Sequence, residues 1–147
     1  MSAGNPTFHE RNLVGYIAPQ LVDAGSVNSG WLAIGDAQRV VALIAVGATD
    51  TTVDAKLQAA TDSSGTGAAD ITDAAITQVG ATGDNRFATI DLDTSKLAAT
   101  SNTHVRLLVT AGDGTSGAYV AAFVLRSTRH APPTQPAAYA EQVVVAG

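Results

Sequence analysis

The clearest pattern of apolar and polar positions lies between Arg39 and Gly65. Val40 to Val46 is an unbroken apolar run rich in β-branched residues, as in a strand that is buried on both faces. After a break, apolar and polar residues alternate from Val53 to Ala59, which is typical of a strand with one solvent-facing side. Together these segments predict a β-hairpin with a central first strand, so that Val41→Asp should unfold the protein.

Shorter segments with strand character follow on both sides of this hairpin. They span residues 13–22, 31–34, 71–79, 86–91, 104–110, 119–125 and 141–146. Gly15 and Pro19 place the first of them at a sheet edge or in a bend. For 71–79 a helix remains the alternative, because Asp70 is a suitable N-cap. Trp31 is expected in the core or at its rim.

Polar clusters rich in glycine separate these segments. Residues 23–30, 62–70, 80–85 and 112–117 are predicted turns, and the last is predicted to close a hairpin. Asp93 to Leu97 has the composition of one helical turn, with Asp93 or Thr94 as its cap.

About eight strands at regular spacing predict an all-β fold. We expect one antiparallel β-sandwich or jelly roll, since 147 residues suit a single domain. Residues 1–12 are predicted to be an extended N-terminal arm, and residues 13–147 the sandwich domain. Within that domain, residues 127–139 are rich in proline and predict an extended surface loop.

Composition and charge exclude several classes of protein. The formal net charge is -5 and the eight Lys and Arg residues are scattered, which argues against a nucleic-acid partner. The chain has no cysteine, so disulfides, thiolate metal sites and cysteine catalysis are excluded. The apolar runs are far shorter than the ~20 residues of a membrane helix, and the first residues do not resemble a signal peptide. We therefore expect a soluble chain with no membrane partner.

The polar residues do not form a recognisable catalytic or metal-binding motif. His9, His104 and His130 are far apart in sequence, and serine does not occur in Gly-x-Ser-x-Gly. The turn at residues 112–117 lacks the lysine of a phosphate-binding loop. The sequence therefore predicts a protein that is not an enzyme and that has no cofactor.

One segment has the oxygen ligands of a calcium loop. Asp62, Ser64, Thr66, Gly67 and Asp73 match the ligand and glycine positions of that motif. Aspartate replaces the bidentate glutamate, and flanking helices are not predicted. A polar turn is the preferred interpretation, and a calcium ion between subunits is the alternative.

Several segments resemble small structural proteins of tailed bacteriophages. The similar segments are residues 46–65, 71–79, 90–94 and 104–110, within a region from Val22 to Leu125. Proteins of this kind commonly serve as capsid decoration (cement) proteins or other virion components, with β-sandwich or jelly-roll folds. The resemblance includes no catalytic or ligand motif.

The resemblance implies a non-enzymatic virion protein that binds the outside of a phage capsid and stabilises it. Its partner would be the major capsid protein, which it would bridge as a homo-oligomer (trimer or dimer). Its location would be the capsid surface, after the host cytoplasm during assembly. The alternatives are a phage tail or neck component and a carbohydrate-binding β-sandwich module. The latter needs exposed aromatics, but the chain has three Phe, three Tyr and one Trp, and several are expected in the core.

Two segments are candidates for contact with a partner, the arm and the proline-rich loop. Their candidate residues are Phe8, His9, Arg11, Arg126, Arg129, His130, Pro132, Pro133 and Tyr139. The alternative for both segments is that they lie across their own sandwich.

Overall fold

The protein is a β-sandwich of two antiparallel sheets, as the sequence predicts. A computed structural model describes residues 11–35 and 37–127, with side chains from Leu13 onwards. The strands in this part of the chain are β1 (Arg11–Val22), β2 (Gly25–Asn28), β3 (Leu32–Ala33), β4 (Arg39–Thr49), β5 (Val53–Ala60), β6 (Ala69–Ala75), β7 (Arg86–Asp93), β8 (His104–Ala111) and β9 (Ala118–Ser127). A single 3₁₀ turn, Thr94–Leu97, follows β7 within these residues, and Asp93 caps it as predicted.

The two sheets have different strand orders. Sheet 1 has four strands in the order β1-β9-β4-β7. Sheet 2 has the order β2-β8-β5-β6, and β3 pairs with β8 beside β2. The central strands β4 and β9 are those whose sequences are apolar on both faces.

The core between the sheets is aliphatic. Its largest fully buried side chains are Ile44, Leu57, Leu107, Val53, Val105, Val109 and Val124. No described aromatic belongs to the buried core, so the expectation that several aromatics pack there is wrong for this part of the chain. Trp31 is half-buried, but it is neither in the core nor among the side chains packed against it, so its expected place in the core or at its rim is not observed. Leu, Ile, Val and Ala fill the space of about 10 Å between two packed sheets without larger rings.

The predicted hairpin of Arg39 to Gly65 is wrong, because β4 belongs to sheet 1 and β5 to sheet 2. The link between them crosses from one sheet to the other. Residues 112–117 also cross between the sheets, from β8 to β9, and are not a hairpin turn either. Asp50 joins the two crossings, since its carboxylate accepts hydrogen bonds from the backbone N–H groups of Ser116 (2.7 Å) and Gly117 (2.9 Å).

Several predicted strands are confirmed. β1 is an edge strand with register shifts at Leu13/Gly15 and Ile17/Gln20, so its glycine and proline lie in irregular pairing. β6 is a strand rather than a helix. In β7 and β8 the predicted faces are correct, with Ile90 and Leu107 among the residues that point into the core.

Some boundaries and faces differ from the predictions. β1 begins at Arg11, inside the range assigned to the arm, because its first residue pairs with Ser127. Ser127 itself belongs to β9 rather than to the proline-rich loop. The predicted turn 23–30 contains β2. Val41 is half-buried and lies outside the core, so the burial from which Val41→Asp was expected to unfold the protein is not observed. The predicted strand 141–146 lies outside the described residues.

Candidate binding surface

The outer face of sheet 1 is apolar. Within the described part of the chain, every exposed large apolar side chain lies on its strands: Leu21 (49% exposed), Leu43 (39%), Phe87 (86%), Tyr119 (55%) and Phe123 (54%). The inner residues of the same strands alternate with these and fill the core. Strands that are apolar on both faces therefore leave one set of apolar residues in solvent.

The strand register makes these side chains one continuous patch. Tyr16, Phe123 and Leu43 are neighbours across three adjacent strands. Ala121, Ala45 and Phe87 form the next row of the same face, and Leu21 pairs with Tyr119 in the row after it. We call this surface the apolar face; it consists of Tyr16, Leu21, Val41, Leu43, Ala45, Phe87, Tyr119, Ala121, Phe123 and Leu125.

Charged residues border the apolar face at one end. Arg39 Nε donates to Asp91 Oδ1 at 2.9 Å, and its Nη1 lies 3.8 Å from Asp93 Oδ2. The hydrogen bond to Asp91 raises the pKa of Arg39, and hydrogen bonds from Ser95, its backbone N–H first and then its side chain, lower the pKa of Asp93. An apolar centre with a charged border is the usual arrangement of a protein–protein interface.

The outer face of sheet 2 is polar and internally hydrogen-bonded. Asp70 accepts from Lys56 Nζ and from Gln58 Nε2, both at 2.7 Å, and Arg106 Nε donates to Gln58 Oε1 at 2.8 Å. The bond from Lys56 is the main cause that lowers the pKa of Asp70. Polar side chains that satisfy one another in this way give this face little tendency to associate.

Trp31 completes this polar face. The Arg106 guanidinium lies 4.6 Å from the centre of the indole ring, which is a cation–π contact. A Cβ at Gly65 would lie 2.4 Å from Trp31 Nε1, so the ring packs directly on the glycine backbone. Gly65 also has φ of +84°, which favours glycine. The indole therefore serves packing and is not displayed for a partner.

The Asp62 segment has the geometry of a turn. Asp62 Oδ1 accepts from the backbone N–H groups of Ser64 (2.9 Å) and Thr66 (3.1 Å), and the bonds to Thr66 are the main cause that lowers its pKa. Asp73 lies on β6, 3.6 Å from Lys96 Nζ. Among the residues that the structure describes, no group of three or more His, Cys, Asp or Glu is placed to hold a metal ion.

The predicted contact residues lie largely beyond the described residues. Phe8, His9, Arg129, His130, Pro132, Pro133 and Tyr139 all lie outside 11–35 and 37–127. Arg11 is the first residue of β1. Arg126 lies on β9, and its Nη1 donates to the Ala33 carbonyl, so its guanidinium ties β9 to β3.

The apolar face was not among the predicted contact segments. The signal for it was present, because β4 and β9 carry apolar residues at nearly every position. A strand in a sandwich has only one face in the core. Apolar residues at nearly every position of such a strand therefore indicate that its outer face also contacts an apolar surface.

Comparison with known proteins adds a structural likeness. No family model and no curated protein matches the chain. Among solved structures, the chain is similar to the N-terminal cellulose-binding domain of β-1,4-glucanase C from Cellulomonas fimi, determined by NMR. The match has a TM-score of 0.43 and 17% sequence identity, and covers 77% of this chain and 76% of that chain. Within residues 11–35 and 37–127, no helix has the length and hydropathy of a membrane span.

Proposed function

We propose that this protein is a non-enzymatic virion structural protein that binds the outside of a bacteriophage capsid. It bridges major capsid protein subunits and so stabilises the shell. It acts as a homo-oligomer and passes through the host cytoplasm before it reaches the capsid surface. The observation that carries this proposal is the apolar face of sheet 1, and the sequence resemblance to phage structural proteins supports it.

The size of the apolar face suits one contact among several. It spans four strands at about 4.8 Å spacing and about six residues along β9, so its projected area is about 300–400 Å². Patches of this size often mark docking sites, whereas a stable interface buries about 800 Å² on each partner. We infer that this face supplies part of the contact and that other segments supply the rest.

A repeated shell compensates for modest single contacts. An oligomer that engages several neighbouring subunits binds with an effective concentration set by their spacing, and its avidity exceeds each single affinity. The apolar face and the predicted contact residues near both termini are the surfaces available for such bridging. The polar face of sheet 2 would then face solvent, which agrees with its internally satisfied hydrogen bonds.

Binding to undecorated shells tests this proposal. Purified protein is mixed with shells, which are then sedimented, and the bound protein and the heat resistance of the shells are measured. Phe123→Asp places a charge at the centre of the apolar face, and we expect it to abolish binding. Asn28→Asp is the control, because it adds the same charge to exposed β2 in sheet 2. If wild-type protein binds no shell, or if both variants bind equally, the proposal is wrong.

The location of the protein in a particle separates the head from the tail. Labelled protein should appear over the whole head in electron micrographs. A label confined to one vertex or to the tail would instead support a tail or neck component.

Carbohydrate binding is the second candidate, because three aromatic rings are exposed on the apolar face. Phe87, Tyr119 and Phe123 are each more than half exposed, and aromatic rings stack on the apolar faces of sugars. The test is co-sedimentation with insoluble polysaccharides together with a glycan array. Retention that is lost in Phe123→Asp and kept in Asn28→Asp would favour this function over shell binding.

A further inference from the structure

The sandwich has one regular and unprotected sheet edge in its described part. Edge strands normally carry proline, lysine or bulges, or are very short, because a free row of N–H and C=O groups binds other strands. β1 has Pro19 and two register shifts, β2 is four residues long, and β6 has a register shift. β7 has eight residues without proline or lysine, and it pairs with β4 without a register shift. Its charged residues lie towards its two ends (Arg86, Asp91 and Asp93), so residues 87–90 between them are uncharged.

The hydrogen-bond pattern shows which groups of β7 point away from the sheet. The Asn85 N–H donates to the Gly47 carbonyl at 3.0 Å, at the start of the β4–β7 ladder. Because antiparallel pairs alternate, the odd-numbered residues of β7 bond to β4. The even-numbered Arg86, Ala88 and Ile90 therefore direct their N–H and C=O groups to the free edge. The described residues provide no backbone partner for them.

A groove runs along this open part of the edge. Its volume is about 670 Å³, and it is lined by residues 75–80 and 82–83 on one side and by 86–89 on the other. Ile76, Val79 and Ala88 contribute apolar walls, while Gln78 and Arg86 are polar. An extended chain of about five residues, at about 3.3 Å each, matches the length of β7 from Arg86 to Ile90.

The chain itself contains a segment that suits this groove. Residues 141–146 follow β9 after a stretch of thirteen residues that contains Pro132, Pro133 and Pro136. Their three consecutive valines have high strand propensity. β9 ends at the level of Asp93, the end of β7, so a returning segment would run antiparallel to β7.

The reach of the segment favours a neighbouring copy. Within one molecule, the groove lies about three strand spacings across the sheet from Ser127 and about three residues along it. The distance between them is therefore about 17 Å. Prolines favour a polyproline conformation of about 3.1 Å per residue, and thirteen residues in that conformation would reach about 40 Å. A reach more than twice the separation of about 17 Å suits delivery of the segment to another molecule.

We propose that residues 141–146 of a second copy of this chain add to the free edge of β7 as an antiparallel strand. The contact is heterologous, since the donor and acceptor surfaces differ, and it closes into a ring when the rotation allows. The main-chain hydrogen bonds would supply affinity, and the groove walls would select apolar side chains. This inference concerns self-association alone and does not depend on binding to a capsid.

Introduced cysteines test the pairing directly, because the natural chain has none. Thr89→Cys is placed in a tagged chain, and Val143→Cys, Val144→Cys or Val145→Cys in an untagged chain. After mixing under oxidising conditions, a disulfide between tagged and untagged chains can form only between copies. Disulfides need Cα atoms about 4.4–6.8 Å apart, so only paired positions react. Gln20→Cys, exposed on edge strand β1, replaces Thr89→Cys in the control.

A second measurement uses full-length chains without cysteine. Ala88→Pro removes an N–H group from the proposed ladder, and either Val144→Pro or Val145→Pro does so, according to the register, whereas the β4–β7 bonds remain. We expect light scattering to show a change from an oligomer to the 14.8 kDa monomer, with an unchanged β-sheet circular dichroism spectrum.

Each outcome decides the proposal. Disulfides between copies at Thr89→Cys, but not at Gln20→Cys, together with monomeric proline variants, support it. A third chain carries Thr89→Cys together with one of the valine substitutions. If a disulfide forms only within this chain, the segment lies on its own β7 and the exchange is overturned. No disulfide at any of the three valines would overturn the assignment of the edge. Failure to bind capsid shells affects none of these results.

Discussion

Neighbouring residues of β4 provide a sharp test of which side of sheet 1 faces the core. Leu43 and Ile44 are adjacent in sequence and similar in size, yet Leu43 is 39% exposed and Ile44 only 1%. The perturbation is the same aspartate at either position. Both residues lie in the same apolar run, so the sequence pattern does not distinguish them. A difference in stability between the two variants therefore reports which side chain the tertiary structure buries.

The expected magnitudes follow from burial. Ile44→Asp loses about 1.5–3 kcal/mol of apolar burial, and the uncompensated carboxylate adds several kcal/mol. This approaches the whole stability of a domain, about 5–15 kcal/mol, so this variant should not fold. Leu43→Asp loses only part of one side chain's burial, about 1 kcal/mol, which lowers Tm by about 2–4 °C in a domain of this size.

Thermal unfolding followed by circular dichroism measures both variants, with Leu43→Ala and Ile44→Ala as milder controls. Ile44→Ala should cost about 2–5 kcal/mol, since it leaves a cavity in a packed core. A folded Ile44→Asp together with an unfolded Leu43→Asp would show that β4 presents its other face to the core. Equal losses would show that both faces of β4 are buried.

Three further predictions follow from the polar face of sheet 2. Gly65→Ala should lower the free energy of unfolding in urea by at least about 1–2 kcal/mol more than Gly30→Ala. Both glycines have positive φ, but only Gly65 is packed against Trp31. Equal losses would contradict this packing. The lowered pKa of Asp70 means that its contribution to stability is present above the ordinary pKa of 3.8 and is lost as pH falls through the folded-state value. Asp70→Asn should therefore be less stable than wild type at neutral pH and equal to it in strong acid, whereas a constant difference would refute this linkage. Arg106→Leu should cost about 1 kcal/mol through the lost cation–π contact, and an unchanged urea midpoint would argue against that contact.

The strands could be predicted from the sequence, but their partners could not. The alternation in β7 and β8 gave the core faces correctly, since a period of two is a local property of a half-buried strand. The predicted hairpin of β4 and β5 was wrong because the link between them contains no strongly specifying turn. That link is held by Asp50 and the distant Gly117, a contact between residues far apart in sequence.

The candidate site was less predictable than the fold. The terminal segments provide the predicted contact residues Phe8 and Tyr139, which lie outside the described residues. The pattern places Phe123 and Leu43 on central strands but does not indicate which face of the sheet they occupy. In an apolar run such as Val40 to Val46, the pattern does not distinguish odd from even positions. Aromatics in the core would leave few for stacking on sugars, which is the argument against a carbohydrate-binding module. The described core is aliphatic, so that argument does not apply to this part of the chain.

The sequence by itself determined the all-β fold class and the position of most of the described strands. Periodicity and glycine-rich turns depend on neighbouring residues, and the absence of cysteine is a matter of composition. All three can therefore be read from the sequence without knowledge of the fold. The tertiary structure decided which strands pair, which face of β4 and β9 meets the core, and which edge has no strand partner among residues 11–35 and 37–127. These depend on the packing of residues distant in sequence. The apolar face exists because β4 and β9 are apolar on both sides, whereas a sandwich buries only one.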